Sequence, residues 1–326
     1  MLRKIAIVGG GDSSEFVISV KSAAQILELI NKEKYQPYPV TVKGTSWTAK
    51  LPDGSEIPVD LRDFSITTDG KKVRFEYAFI IIHGTPGENG KLQAYLDMQK
   101  IPYSTSSVLS SALTFNKYVC KIYLKNFGIT TAEAVLIDRN RVFTNEEIIE
   151  RVGLPCFVKP NNGGSSFGTS RVNRSEEMEN ALIEAFKEDE EIIIESFVKG
   201  TELSCGLLKT SKEEIIFPIT EIVSSNEFFD YEAKYSEGKA EEITPARIPE
   251  EIAKRCRQIA SEIYDHLNCR GIVRIDFIVR GNQIFFLELN SIPGMSRESI
   301  VPKQIRAMGL RIEDILEKVI DDTFPQ

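Results

Sequence analysis

The chain has 326 residues, a formal net charge of −8, 42% hydrophobic and 27% charged residues. At about 150 residues per domain this gives two or three compact units, each able to bury a core, and not a disordered chain. The acidic balance excludes a general nucleic-acid binder, which needs a basic face, but not a small anion met by a local cluster of cations.

Apolar runs such as Ala78 to Ile82 fall far short of the ~20 residues that cross a bilayer. The opening Met1-Leu2-Arg3-Lys4-Ile5-Ala6-Ile7-Val8 is too short for a signal peptide's apolar core and reads as a first buried strand. Five cysteines (120, 156, 205, 256 and 269) without a C-x-x-C pair, and only His83 and His266 beside them, support neither a zinc site nor a disulfide framework. The expected setting is a reducing cytoplasm, away from membranes.

Ile5 to Val8, Gly9-Gly10-Gly11 and a helix to about residue 30 form a strand, turn and helix of an α/β unit. Asp53-Gly54 and Asp69-Gly70 mark hairpin turns in a small β excursion over 44–77. A buried strand over 78–82, a helix from about 90 to 99 and a short strand at 101–103 complete a first domain, 1–115. Thr114 is placed to cap a helix running to Phe127, with Gly128 just past its end. A central unit, 116–200, holds a strand, a helix, the strand Pro155 to Lys159, a Gly/Ser loop, a helix capped by Ser175 and the strand Glu191 to Glu195. The last unit, 201–326, opens with strands. It continues with a helix at 249–267, with Pro249 first and Ile252, Cys256, Ile259, Ile263 and Leu267 on one face, then two strands within 272–290.

Gly9-Gly10-Gly11 lacks the third glycine of a dinucleotide fingerprint, since position 14 is Ser14, so it reads as a structural turn. The helix start beside it, with Ser13, Ser14 and Glu15, can hold a zwitterion. Gly164-Ser165-Ser166-Phe167-Gly168 formally matches a hydrolase elbow, but that motif needs the serine between a strand and a helix, and here an extended segment follows. Asp265 and His266 are neighbours on one helix and point apart. A phosphate loop fits better: peptide N–H groups and serines wrap the anion, and Lys159 adds a point charge. His83 ends a buried strand, where ligands of α/β domains bind. The acidic run Glu188 to Glu191 reads as a solvated turn, and the cysteines as core.

The strongest constellation lies in Ile272 to Val279 and Ile284 to Asn290, joined at Gly281-Asn282 as a hairpin. With an odd loop, Asp276 faces Glu288 and Arg274 faces Asn290 on one side, while Ile275, Phe277, Val279, Phe285, Leu287 and Leu289 cover the other. Two carboxylates about 5 Å apart repel by about 3 kcal/mol at an effective dielectric of 20. A divalent metal relieves that, and two carboxylates with an amide oxygen suit Mg²⁺ better than zinc. The plainer alternative is a solvent-facing strand pair with Arg274 in an ordinary ion pair.

Taken in order, these motifs resemble the D-alanine–D-alanine ligase family of the ATP-grasp superfamily. They are Gly10-Gly11-x-Ser13-x-Glu15, His83-Gly84-x-x-Gly87-Glu88-x-Gly90, Lys117, Lys159-Pro160-x-x-Gly163-Gly164-Ser165-Ser166-x-Gly168, Tyr231 to Tyr235, Arg274-x-Asp276, and Glu288-x-Asn290-x-x-Pro293-Gly294-Met295-Ser296-x-x-Ser299. The resemblance implies an α/β protein: an N-terminal Rossmann-like pre-ATP-grasp domain, then a two-lobed ATP-grasp domain of α+β lobes. The implied reaction joins two D-alanines through a D-alanyl phosphate, for peptidoglycan and cell shape, with D-lactate or D-serine as alternative second substrates. Cofactor roles are implied for Lys117, Lys159, Ser166, Glu195, Ser196, Phe197, Val198 and Glu202 toward ATP, and for Asp276, Glu288 and Asn290 toward two Mg²⁺ or Mn²⁺. Glu15, Ser165 and Tyr235 would tie the first domain to a mobile loop, with Arg274 and the Gly294 N–H at the oxyanion. His83, Lys234, Ser299 and Ile300 would hold substrate, residues 226–244 would form a lid, and the chain would pair as a homodimer.

Overall fold

The computed structural model describes residues 2–140, 143–164, 167–224 and 240–324. Strand β1 (Arg3–Gly10) carries Ile5, Ala6, Ile7 and Val8, all without exposure, as a strand covered on both faces demands. Helix α1 (Phe16–Leu29) follows, then β2 (Tyr35–Lys43), β3 (Ser46–Lys50) and β4 (Glu56–Pro58), the hairpin β5 (Ser65–Thr68) and β6 (Lys71–Arg74), and β7 (Tyr77–Ile80). The first sheet runs β4-β3-β2-β1-β7, with β1 parallel to both β2 and β7. Composition conceals β2, because Pro37 and Pro39 argue against an inner strand. They are tolerated because pairing to β3 begins only at Val40, so the proline half has β1 on one side alone.

The 44–77 excursion does consist of hairpins, and its role is packing. Trp47, Phe64 and Phe75 join Tyr38 and Tyr95 in edge-to-face and tilted contacts, with ring centroids 5.0 to 6.2 Å apart. Helix α2 (Lys91–Gln99) supplies Tyr95. The strand expected at 101–103 is only a bridge between Ala78 and Tyr103.

Helices α3 (Val108–Phe115) and α4 (Lys117–Lys125) replace the single helix expected from Thr114. Thr114 lies inside α3, donating to the Ser110 and Ser111 carbonyls, and Asn116 caps α4 through its bond from the Val119 N–H. The middle sheet is β10-β9-β11-β8, from β8 (Ala134–Asp138), β9 (Cys156–Pro160), β10 (Ser170–Val172) and β11 (Glu191–Ser196). Helices α5 (Asn145–Val152) and α6 (Met178–Ala185) pack on it around Ile148, Val158, Met178 and Ile192. Ser175 opens a 3₁₀ turn and makes no cap, so α6 begins later than its serine predicts.

The third sheet runs β15-β14-β12-β16-β17, with β13 also on β12. Its strands are β12 (Thr201–Lys209), β13 (Glu214–Ile216), β14 (Thr220–Ser224), β15 (Ala240–Ile243), β16 (Gly271–Arg280) and β17 (Gln283–Asn290). Residues 240–243, expected within a lid, are therefore a strand paired with β14. Helix α7 (Glu250–His266) buries Ile252, Cys256 and Ile263 against this sheet, with Pro249 at the cap rather than inside the first turn. The C-terminal helices α8 (Ile300–Ala307) and α9 (Ile312–Thr323) put Val301, Ile305, Ile315 and Val319 into the same core as β1 and β7. Among the described residues, no helix is long and apolar enough to cross a membrane.

Candidate active site

A cavity of about 840 Å³ opens between the three sheets. Glu15, His83, Lys117, Lys159, Glu195, Ser196, Phe197, Val198, Glu202, Arg274, Asp276, Glu288, Asn290, Gly294, Ser299 and Ile300 all line it. Ser165, Ser166, Lys234, Tyr235 and most of the expected lid lie outside the described residues.

The hairpin of β16 and β17 reaches the expected register by an unexpected route. Its turn holds two residues, Gly281 and Asn282, and pairs Arg280 with Gln283. A register shift beyond Asp276 then restores Asp276 opposite Glu288 and Arg274 opposite Asn290. The bulge also changes the buried set. Ile284 and Phe286 enter the core, whereas Phe285 and Leu287, expected there, are only half-buried and line the cavity.

Asp276 is buried and accepts from Ser204 Oγ at 2.6 Å and Asn290 Nδ2 at 3.1 Å. The Arg274 guanidinium grips it through Nε at 3.0 Å and Nη2 at 2.9 Å. Burial disfavours the Arg274 charge, but Asp276 and Glu288 outweigh it and hold the group above its ordinary value. Arg274 does form an ion pair, then, yet inside a cavity rather than on a solvent-facing strand. Across from Asp276, Glu288 meets Lys117 Nζ at 3.5 Å.

Among the described residues the element after β9 and its Gly-rich loop is β10 and not a helix, so the strand–turn–helix setting that a hydrolase elbow needs is not met. Asp265 is bound to Lys209, and His266 stacks on Phe127. The loop is tied down by residues expected to be solvated. Asp189 accepts from the Asn162 backbone N–H at 2.6 Å, and Glu191 Oε2 from the amides of Asn116, Asn161 and Asn162 at 2.9 to 3.2 Å. The Lys117 ammonium reaches the Gly163 carbonyl. Farther along the cavity, Ser196 turns its hydroxyl to the Val152 carbonyl at 2.7 Å, and Phe197 packs edge-on to Phe157 beneath the Arg171 guanidinium.

On the first-domain side, Gly10 and Gly11 have positive φ angles of 94° and 104°, and a Cβ on Gly10 would meet the Val42 carbonyl at 2.4 Å. That turn delivers Glu15 to the start of α1, buried beside Gly164. His83 Nδ1–H donates to the Ile292 carbonyl at 2.8 Å, leaving Nε2 facing Ser22 Oγ at 3.4 Å. Burial pushes the imidazole below its ordinary pKa, toward the neutral form. Glu88, which closes the His83-Gly84-x-x-Gly87-Glu88 motif, accepts from the Gly84 N–H at 2.8 Å and the Ile292 N–H at 3.3 Å. Burial, with help from the Glu15 charge, pushes its carboxyl up to about 7. At the other wall, Ser296 and Ser299 hydroxyls lie 2.7 Å apart at the start of α8, and a Cβ on Gly294 would fall 2.8 Å from Ser299 Oγ.

Two models of the D-ala D-ala ligase, for its N-terminus and its C-terminus, match residues 4–106 and 123–321. The chain belongs to the D-alanine–D-alanine ligase family. It is 52% identical to the D-alanine–D-alanine ligase of Phocaeicola vulgatus over 99% of its own length and all of that protein, and 50% identical to the one from Bacteroides fragilis. Among solved structures it resembles the VanG D-Ala:D-Ser ligase of Enterococcus faecalis, with a TM-score of 0.86, 30% identity and coverage of 98% and 99% of the two chains. It also resembles the Bacillus anthracis D-alanine–D-alanine ligase complexed with ATP, with a TM-score of 0.78, 26% identity and coverage of 98% and 97%. The α/β architecture and the family expected from the motifs both hold.

Proposed function

We propose that this protein joins two D-alanines with ATP, forming D-alanyl-D-alanine, ADP and phosphate for cell-wall peptidoglycan in the cytoplasm. The carrying observation is that one cavity gathers Glu15 and His83, the Lys117–Glu288 contact, the Arg274–Asp276 fork and the buried Lys159–Glu195 pair. In this reading the first D-alanine lies between Glu15, which faces its ammonium, and the neutral His83. A carboxylate oxygen attacks the γ-phosphorus and ADP departs, while Lys117 and Lys159 hold the phosphates against their mutual repulsion. The second amine then attacks the acyl carbon. Arg274 and the Gly294 N–H face the oxyanion, phosphate leaves, and Ser299 at the start of α8 receives the second carboxylate. In this reading Glu195 to Val198 recognise adenine and Glu202 the ribose, with Ile300 closing the second-substrate end; all line the cavity.

Asp276, Glu288 and Asn290 fit magnesium. Two carboxylates face each other in register, and Asn290, whose Nδ2 donates to Asp276 here, also carries an amide oxygen; all three offer hard oxygen donors. Held by these residues, magnesium would supply positive charge against the transferring phosphoryl group. Support for three units, 1–115, 116–200 and 201–326, comes from the three separate sheets around the cavity. A homodimer remains a proposal from the family resemblance.

The test is phosphate release from MgATP with D-alanine, D-serine or D-lactate as second substrate, with mass detection of the products. D-alanine-dependent release with D-alanyl-D-alanine as main product is expected. No D-alanine-dependent turnover refutes the reading, and a depsipeptide or a serine-containing main product moves it to the alternative ligases.

A further inference from the structure

Helix α4 places a second lysine, Lys121, one turn after Lys117, on the face that looks into the cavity. It is 1% exposed, and its ammonium contacts Glu195 Oε1. The other carboxylate oxygen, Oε2, meets Lys159 Nζ at 2.5 Å. Two buried cations therefore share one buried carboxylate, so the trio itself carries one net positive charge, which Glu288 and Glu202 feel from the cavity wall. Beyond Glu195, the Lys121 ammonium finds no hydrogen-bond partner among the described residues. A net charge held out of water is costly until an opposite charge arrives.

The two lysines are not equivalent. The Lys121 side chain is 2% exposed, whereas that of Lys159 is 11% exposed and also feels Glu288 and Glu202 at the cavity wall. Burial pulls the Lys121 ammonium below its ordinary pKa, and Glu195 is what opposes that pull. Burial likewise works against the Glu195 charge, but Lys121 and Lys159 overcome it and hold the carboxyl down at about 2. The one ion pair of Lys121 among the described residues is with Glu195, while Lys159 is the more exposed of the two toward the cavity.

We propose that Lys121 is a positioning residue of the nucleotide pocket: it neutralises Glu195, so that the Lys159 charge is available to the phosphates of ATP. Without Lys121, the Glu195 charge falls on Lys159 alone and the trio loses its net positive charge. This rests on the ligase reading above, because that reading supplies the nucleotide.

The experiment measures affinity for MgADP and for adenosine, by competition with a fluorescent ATP analogue. The proteins are wild type, Lys121→Met, Lys121→Arg, Glu195→Gln and the double variant Lys121→Met/Glu195→Gln. Lys121→Met is expected to weaken ADP on the order of tenfold relative to adenosine, the scale of one charge-assisted hydrogen bond. Lys121→Arg retains most of the ADP preference. Adding Glu195→Gln to Lys121→Met restores the preference, because Lys159 is no longer claimed, and any loss of adenine binding cancels in the ratio. Equal loss for ADP and adenosine, no loss, or no recovery in the double variant overturns the proposal. Should Lys121→Met fail to fold by circular dichroism, Glu195→Gln alone decides: a fall in the ADP preference overturns the proposal, and an unchanged or larger preference supports it. Wild-type protein that binds no ADP would defeat the ligase reading itself, a separate outcome.

Discussion

Gly164 sits against the carboxylate of Glu15. A Cβ at that position would lie 2.4 Å from Glu15 Oε2, 3.1 Å from its Cδ and 3.3 Å from Oε1. Comfortable contact begins near 3.5 Å, so Gly164→Ala forces the carboxylate back by about 1 Å. The obstacle is the far end of a side chain, not backbone, and Gly164 is outside the left-handed region, so folding tolerates the change. Stability should fall by less than about 1 kcal/mol, and chemical denaturation checks this. Catalysis should not tolerate it: displacement of about 1 Å in a positioning group costs on the order of 100-fold. Steady-state phosphate release should show the loss in kcat/KM for the first D-alanine, with KM for ATP nearly unchanged. Gly163→Ala is the paired comparison, since its Cβ would meet only Pro160, at 3.5 Å, and it should lose far less. Near wild-type kcat/KM for Gly164→Ala would refute the placement of Glu15 against the substrate.

Three further outcomes follow from the same geometry. Glu288→Gln removes one of the two facing carboxylates and should cut turnover by at least about 100-fold at ordinary magnesium; near-normal rates would refute the metal assignment. Glu88 has a folded pKa raised to about 7 against an ordinary value of 4.5, so the protonated form favours the fold. Its contribution is complete below about 4.5 and is lost as pH rises through 7, giving wild type a decline of about 3 kcal/mol relative to Glu88→Gln. Parallel pH profiles for the two proteins in denaturation experiments would contradict this. Glu191→Ala releases three asparagine amides and should raise KM for ATP about tenfold with a smaller effect on kcat, and an unchanged KM would show that the loop needs no such anchor.

The residues that bear chemistry were readable because their spacing is set by strand and loop geometry. Asp276 and Glu288 announce themselves as acids on adjacent strands made mostly of Ile, Val, Leu and Phe. The arithmetic of their meeting was not readable. A turn of two residues alone would misalign them, and the bulge that corrects it leaves no mark in composition. For the same reason the burial pattern of β17 was predicted half out of phase. Lys121 was overlooked although its four-residue spacing from Lys117 puts both on one helical face. A buried lysine resembles a surface lysine until its partner is known. Asp189 and Glu191 looked solvated because what they hold, the Asn161-Asn162 backbone and amides, lies across a sheet and not along the chain. Pro37 and Pro39 concealed β2 because a strand can be interior at one end and an edge at the other.

The peptide of Ile292 is held from both ends by the first domain, its carbonyl by His83 and its N–H by Glu88. Two residues before it stands Asn290, beside Asp276, and two residues after it stands Gly294. The C-terminal helices share a core with β1 and β7, whereas the middle sheet keeps a core of its own. The first and third sheets are thus joined by one shared core and by this clamped peptide, whereas the middle sheet packs around its own. The Glu15 and His83 wall and the carboxylate hairpin are therefore tied to each other by contacts that do not pass through the middle sheet.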